Sequence, residues 1–328
     1  MHALPERLIP SFRLLRHSLR AVLPATFCLA FWGCDSRTLP SKLPAEDISY
    51  KIVEDGEIWF RNSQMQLRFD SEMYCRVFFV KDGSLLSIND IPPDPLKARP
   101  PHYLEVEGSE LKDFRVDYRN IGVSELKTRL GIGKSLHLIG YAKTPSGTRI
   151  EKSLTVEFYY EQVDMALLTV TYRNLEKIQS AQVTKKVNNF FRLDAARTKA
   201  GRPPYAFQGV QGQPDKNGAN LFQITRESFA RIYEISSQSD KTRSIALLDL
   251  WNSEMGMAIG DISRRPQTLV LPVTVAPDQK VEISMQSTVV ENLEPTKVLT
   301  TPKSLWMVHG GGLSAAFERY SILVQPEK

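Results

Sequence analysis

The chain has 328 residues and a net charge of +5, and hydrophobic residues make up 42% of it. This apolar content excludes a disordered chain and suffices for one large folded unit or two ordinary ones. Four arginines and one glutamate give the first 33 residues a charge of +3 and leave +2 for the rest, where the charges are interspersed. A nucleic-acid-binding protein normally has a clustered basic face, so we expect no nucleic-acid partner.

The first 33 residues have the pattern of a secretory signal. A basic stretch ends at Arg20, and the apolar run Ala21–Trp32 that follows is too short for a membrane-spanning helix, which needs about 20 residues. Gly33 and Cys34 then form a small residue followed by cysteine, which resembles the lipobox of bacterial lipoproteins. This resemblance implies lipidation of Cys34, and ordinary signal cleavage is the alternative.

Residues 34–47, which are rich in proline and polar groups, would then form a tether between the lipid and the folded body. We expect the protein to be exported and either periplasmic or anchored to the envelope by lipid alone, with secretion as the alternative. With Cys28 in the signal and Cys34 at its end, Cys75 remains alone in a strand-like run, which predicts a buried small side chain.

Period-two alternation dominates from residue 48 to about 300 and predicts strands with one buried and one solvated face. Between residues 64 and 69, for example, Met65, Leu67 and Phe69 alternate with polar side chains. Turn sequences such as Lys81-Asp82-Gly83 separate the runs. Short strands with closely spaced turns predict an all-β, antiparallel sandwich.

Three segments depart from this pattern. Residues 91–101 hold five prolines and residues 194–220 are rich in glycine, proline and asparagine, so both are predicted to be loops. Leu313, Phe317, Tyr320 and Val324 follow helical spacing behind Ser314 as N-cap, which predicts a short C-terminal helix from Ser314 to Val324.

Several motifs have both a functional and a structural interpretation. Residues 131–135 (Gly-Ile-Gly-Lys-Ser) lack the first glycine of a phosphate-binding loop and lead into another strand, so they are predicted to connect strands. His102, His137 and His309 have no ligand spacing, so the sequence predicts neither a metal site nor a cofactor, and each histidine is expected to be structural.

Aromatic residues cluster in and beside the long loop, and Trp251 follows soon after it. Exposed rings on a sandwich can stack on sugars, whereas the alternative is that they pack in the core. The aromatic residues concerned are Tyr205, Phe207, Phe222, Phe229 and Trp251.

Stretches spread in order over roughly residues 48 to 325 resemble the N-terminal β-supersandwich domain of bacterial melibiase-type alpha-galactosidases. The matching stretches are residues 131–134, residues 163–174, Phe207-Gln208-Gly209, Trp251, residues 255–260, residues 271–273, Val308-His309-Gly310 and Tyr320. The resemblance implies a galactose-mutarotase-like β-supersandwich spanning 48–328 with the short C-terminal helix.

In that family a following (β/α)₈ barrel performs the chemistry. Because the sequence ends at Lys328, where the barrel begins in the family, the resemblance implies no catalytic residue here, and we expect this chain alone to be inactive. It implies a non-catalytic domain that supports a barrel chain, with a homo-oligomer as another possible partner.

Two alternatives stay open. The chain is either one subunit of a split alpha-galactosidase that hydrolyses terminal alpha-galactosides with a separately encoded barrel, or a stand-alone carbohydrate-binding module. For a galactoside ligand, the candidate contacts implied by the resemblance are Phe207, Gln208 and Trp251.

Overall fold

The computed structural model describes residues 48–193, 208–211, 221–223, 231–236, 246–252, 254–263, 268–276, 280–287, 290–311 and 315–324. The predicted signal, the tether, Cys34 and Phe207 lie outside these ranges. Cys75 is described and is a buried free thiol, as predicted.

The first thirteen strands are β1 Ser49–Ile52, β2 Ile58–Arg61, β3 Met65–Phe69, β4 Cys75–Lys81, β5 Ser84–Ser87, β6 Tyr103–Val106, β7 Ser109–Leu111, β8 Arg115–Val116, β9 Gly122–Thr128, β10 Gly131–Lys143, β11 Arg149–Tyr159, β12 Gln162–Asn174 and β13 Ala181–Leu193. The remaining strands are β14 Gln208–Gln211, β15 Leu221–Gln223, β16 Arg231–Ser236, β17 Leu247–Trp251, β18 Gly256–Asp261, β19 Thr268–Val275, β20 Val281–Ser287, β21 Glu291–Leu293, β22 Val298–Thr300 and β23 Ser304–His309. A 3₁₀ turn spans Tyr118–Asn120, and helix α1 spans Ala315–Val324.

Within the described residues, these strands form three antiparallel sheets. The five-stranded sheet runs β1-β2-β3-β4-β5 in chain order. The seven-stranded sheet has the order β16-β19-β20-β13-β6-β7, and β21 also pairs with β13. The eleven-stranded sheet has the order β15-β14-β17-β18-β23-β12-β11-β10-β8, with β22 on β12 and β9 on β10.

The five-stranded and seven-stranded sheets both pack on one face of the eleven-stranded sheet. Phe60 stacks on Phe158 with ring centroids 4.7 Å apart, which joins the five-stranded sheet to β11. Phe191 meets Trp306 edge to face at 4.7 Å, which joins the seven-stranded sheet to β23. One continuous apolar core fills the space between the layers, so the predicted all-β sandwich is confirmed.

The alternation of β3 shows how the sequence builds this core. Met65, Leu67 and Phe69 are completely buried, as their spacing predicts. Gln66, predicted to face solvent, is only 1% exposed. The reason is that its amide oxygen accepts hydrogen bonds from the guanidinium of Arg68, at 2.8 Å from Nε, and the two side chains cover each other.

The core also encloses a lysine. Lys152 of β11 has no exposed surface, and its Nζ donates to the carbonyl oxygen of His102 at 2.7 Å. The same Nζ lies 5.2 Å from the centroid of the Phe114 ring. Burial lowers the pKa of Lys152 to about 7, because an ammonium loses its hydration there.

The glycine-rich motif at 131–135 starts β10, which confirms a strand connection. A Cβ at Gly133 would lie 1.9 Å from the carbonyl oxygen of Phe158, so close packing against β11 requires glycine at this position. The predicted loop at 194–220 differs in part, because residues 208–211 form β14 between β15 and β17.

The C-terminal helix predicted for Ser314–Val324 is present as α1 over Ala315–Val324, and its predicted N-cap, Ser314, lies outside the described residues. Its apolar stripe packs back on the sandwich, where Ala316, Tyr320 and Leu323 are buried. In the described part of the chain, no helix has the length and apolar character needed to cross a bilayer.

Candidate functional site

Two of the three candidate sugar contacts, Gln208 and Trp251, lie at one end of the eleven-stranded sheet, and Phe207 lies outside the described residues. Gln208 pairs with Trp251, Trp251 with Gly256, and Gly256 with His309, so these four residues form one row across β14, β17, β18 and β23. Directly paired residues of an antiparallel sheet point to the same face. For Trp251 and His309 this is the outward face, opposite the main core, and the row is called the outward row below.

Trp251 is only 6% exposed. Stacking on a sugar needs an open ring face, and Trp251 offers almost none. Of Gln208, the structure describes the strand position alone. A galactoside contact by these residues therefore stays a prediction.

The dominant polar feature of the outward row is a buried acid–histidine pair. His309 Nε2 lies 2.9 Å from Asp249 Oδ1, and Asp249 is fully buried two residues before Trp251. The Gly311 amide donates to His309 Nδ1 at 3.2 Å. Because Nδ1 accepts a hydrogen bond, the neutral ring carries its proton on Nε2 and donates it to the carboxylate.

The two partners influence each other's ionisation. Burial raises the pKa of Asp249, and the hydrogen bond and charge of His309 oppose that rise. Burial alone would lower the pKa of His309, but the Asp249 carboxylate outweighs it and raises this pKa above its usual value. Among the described residues, the second oxygen of Asp249, Oδ2, has no hydrogen-bond partner.

Gly256 makes this pair possible. A Cβ at that position would lie 2.2 Å from Cε1 of the His309 ring and 2.8 Å from Cβ of Trp251. The imidazole therefore occupies space beside β18 that any side chain at residue 256 would fill.

Helix α1 covers the sheet beside the outward row. Tyr320 donates to the carbonyl oxygen of Asp261 at 2.7 Å, and Arg319 forms an ion pair with Asp164 of β12 at 3.3 Å. Arg129, from the β9–β10 turn, donates to the carbonyl oxygen of Leu323 in the last turn of the helix. Cations at a helix C-terminus are favourable, so the middle and the C-terminal end of α1 are tied to the sandwich.

The geometry of the Asp249–His309 pair fits a structural role. General-base catalysis needs a ring nitrogen within hydrogen-bond reach of the group that gives up its proton. Here Nε2 is engaged by Asp249 and Nδ1 by Gly311. No group of three or more His, Cys, Asp or Glu side chains in the described ranges is placed to hold a metal ion.

Gln208 and Trp251, both named from the sequence as candidate sugar contacts, pair across β14 and β17, whereas Asp249 was not predicted. Asp249 and His309 are 60 residues apart, and only the pairing of β17 and β23 with the central β18 brings them together. The only local signal is Asp249 itself, a charge inside the apolar run 245–251. His309 ends β23, as predicted.

Comparison with known proteins identifies the fold. No protein-family profile matches the sequence, and no curated protein matches it either. Among solved structures, the galactosidase domain of the alpha-galactosidase–sucrose kinase AgaSK matches 81% of this chain with a TM-score of 0.57 and 8% identity. The chain has the fold of an alpha-galactosidase N-terminal β-sandwich.

Two other enzymes match similarly. The alpha-galactosidase from Lactobacillus brevis matches 80% of this chain with a TM-score of 0.55 and 9% identity. The GH36 alpha-galactosidase AgaB from Geobacillus stearothermophilus also matches 80%, with a TM-score of 0.55 and 11% identity. The chain spans 40 to 42% of the length of these three structures, and the matched part is their N-terminal portion.

Proposed function

We propose that this chain is the non-catalytic β-sandwich module of an alpha-galactosidase-like glycoside hydrolase and that it supports a catalytic barrel. The observation that carries the proposal is the structural match, which covers four fifths of this chain and about two fifths of each enzyme. The buried pair of Asp249 and His309 agrees with a structural role, because both ring nitrogens are already engaged.

The surface of α1 offers a specific contact to test. Ile322 is 56% exposed on the helix, although its neighbour Leu323 is buried. An exposed aliphatic side chain gains free energy when a partner covers it. We place the barrel contact on this side of the helix.

The test combines this chain with the barrel domain of a GH36 alpha-galactosidase produced without its own sandwich. Hydrolysis of an aryl alpha-galactoside should rise when the two are mixed, and this chain alone should give none. Ile322→Glu should reduce the gain, whereas the matched variant Ile178→Glu, at a loop residue that is 92% exposed, should not. No gain at any mixing ratio would refute the supporting role.

The split-enzyme alternative predicts a further result in the same experiment. A dedicated, separately encoded barrel should form a stable complex with this chain and gain far more activity than the barrel of an unrelated enzyme. Equal gains with both barrels would favour the general supporting role.

A stand-alone carbohydrate-binding role rests on Phe207, Gln208 and Trp251. Titration calorimetry with galactose, melibiose and galactomannan tests it directly. Heat that disappears in Trp251→Ala, with the fold retained, would support sugar binding, and the burial of Trp251 leads us to expect no heat.

We further propose export and lipid attachment at Cys34, on the basis of the signal-like first 33 residues. The mature protein should then partition into detergent, and Cys34→Ser should move it to the aqueous phase. Cys75→Ser is the matched control, since that thiol is buried. Mass spectrometry that finds an unmodified N-terminus other than Cys34 would contradict lipidation.

A further inference from the structure

The outward face of the five-stranded sheet carries a set of cations that the linear sequence conceals. Lys51, Trp59, Arg68 and Arg76 pair in succession across β1, β2, β3 and β4, so they form one row. Arg61 belongs to the neighbouring row, opposite Gln66. Successive side chains of a strand alternate between faces, and these point away from the core residues of the same strands. The four cations are called the basic face below.

Aromatic rings hold the centre of the basic face in place. The guanidinium of Arg68 lies 4.1 Å from the ring centroid of Trp59 and 4.4 Å from that of Phe78. Lys51 Nζ lies 5.6 Å from the Trp59 ring on the neighbouring strand. Such cation–π contacts fix the side chains and leave the positive charges uncancelled.

The cations form no ion pairs. Among the described residues, none of Lys51, Arg61, Arg68 and Arg76 has a carboxylate oxygen within 4 Å, and Lys51, Arg61 and Arg76 are exposed. Two acids lie nearby: Glu57 accepts the indole N–H of Trp59 at 2.5 Å, and the charge of Arg76 opposes the rise that burial causes in the pKa of Asp70.

Two further observations support a binding role for the basic face. Residues 34–328 carry a net charge of only +2, whereas this one sheet face carries four cations. The face is also continuous over four strands, and no described helix packs on it. A continuous positive surface suits a broad, negatively charged partner.

We propose that the basic face binds the surface of an anionic lipid bilayer. The N-terminal sequence favours a bilayer over other polyanions. Only residues 35–48 separate Cys34 from β1, the edge strand of this sheet. Fully extended, that segment reaches about 50 Å at most, so a lipid on Cys34 would hold β1 within that distance of the membrane. The attraction between the basic face and anionic lipid does not itself require lipidation.

The expected strength follows from membrane electrostatics. Each Lys or Arg near an anionic surface strengthens binding by about fivefold, and the effect declines within a Debye length. Removing Lys51, Arg61 and Arg76 should therefore weaken binding by up to roughly a hundredfold. Arg68 is left unchanged in the test because its stacking on Trp59 and Phe78 stabilises the sheet.

The test uses the full chain carrying Cys34→Ser, so that no acyl group contributes. Co-sedimentation is measured with vesicles of phosphatidylglycerol and phosphatidylcholine, and with vesicles of phosphatidylcholine alone. The face variant combines Lys51→Gln, Arg61→Gln and Arg76→Gln. The control variant combines Lys127→Gln, Lys143→Gln and Lys177→Gln, three exposed lysines on other strands and loops that remove the same charge.

We expect the parent and the control variant to bind the phosphatidylglycerol vesicles and the face variant to lose at least about tenfold in affinity. Added salt should lower the affinity of the parent for these vesicles towards that of the face variant. Equal binding by the face and control variants would overturn the proposal. So would binding of the parent to polygalacturonate but not to the anionic vesicles, because the partner would then be an acidic polysaccharide.

Discussion

The two outward faces of the sandwich differ in how they meet their surroundings. On the eleven-stranded sheet, the outward face around β17, β18 and β23 is apolar, encloses the Asp249–His309 pair and lies under α1. On the five-stranded sheet, the outward face is basic and uncovered by any described helix. Alternation assigns residues to a face, but what packs on that face decides whether they are buried.

The strongest test of the covered face is Gly256→Ala. The new Cβ would collide with the His309 ring and with Trp251, so the acid–histidine pair should separate, at a cost of about 3 kcal/mol in the free energy of unfolding. Gly310→Ala is the control, since a Cβ there meets nothing within 4 Å. Urea denaturation measures both, and equal stability of the two variants would show that the covered face tolerates a displaced histidine.

A smaller loss of stability is expected when a side chain of α1 that packs on the sheet is truncated. Leu323 is 4% exposed against the sheet, whereas its neighbour Ile322 is 56% exposed. Leu323→Ala should lower the free energy of unfolding by about 2 kcal/mol, and Ile322→Ala by less than about 0.5 kcal/mol. Thermal unfolding of both variants distinguishes them, and the reverse order would mean that α1 packs with another side inward.

The smallest effect should come from the uncovered face. Arg68→Ala removes the guanidinium from Trp59 and Phe78 and should lower the free energy of unfolding by roughly 1 kcal/mol. Arg76→Ala, on the adjacent strand and exposed, should be nearly neutral. If Arg68→Ala were as costly as Gly256→Ala, the basic face would be a second packed surface.

These contrasts show what sequence reasoning could predict. The strands, the sandwich and α1 follow from local periodicity, as in Met65, Leu67 and Phe69. The covered face follows in part from sequence, since β17 is apolar at every position except Asp249, which is the pattern of a strand buried on both sides.

Neither polar feature was predicted, for one physical reason. Asp249 and His309 are separated along the chain and meet only through strand pairing. Strand register likewise places Lys51 and Arg76, on β1 and β4, in one row. Along the chain, these charges are interspersed. Register depends on turn geometry and face burial together, which alternation alone does not specify.

The enclosed Lys152 has a consequence for the heat of folding. Its pKa falls from 10.5 in the unfolded chain to about 7 in the folded one. Between pH 7 and 10.5, the unfolded chain holds a proton on Lys152 that folding must release to the buffer. The free energy of unfolding therefore rises with pH across this window. Below it, the full cost of burying the charged ammonium remains. Refolding heats measured in this window should differ between buffers of different ionisation enthalpy, and Lys152→Met should remove most of that difference.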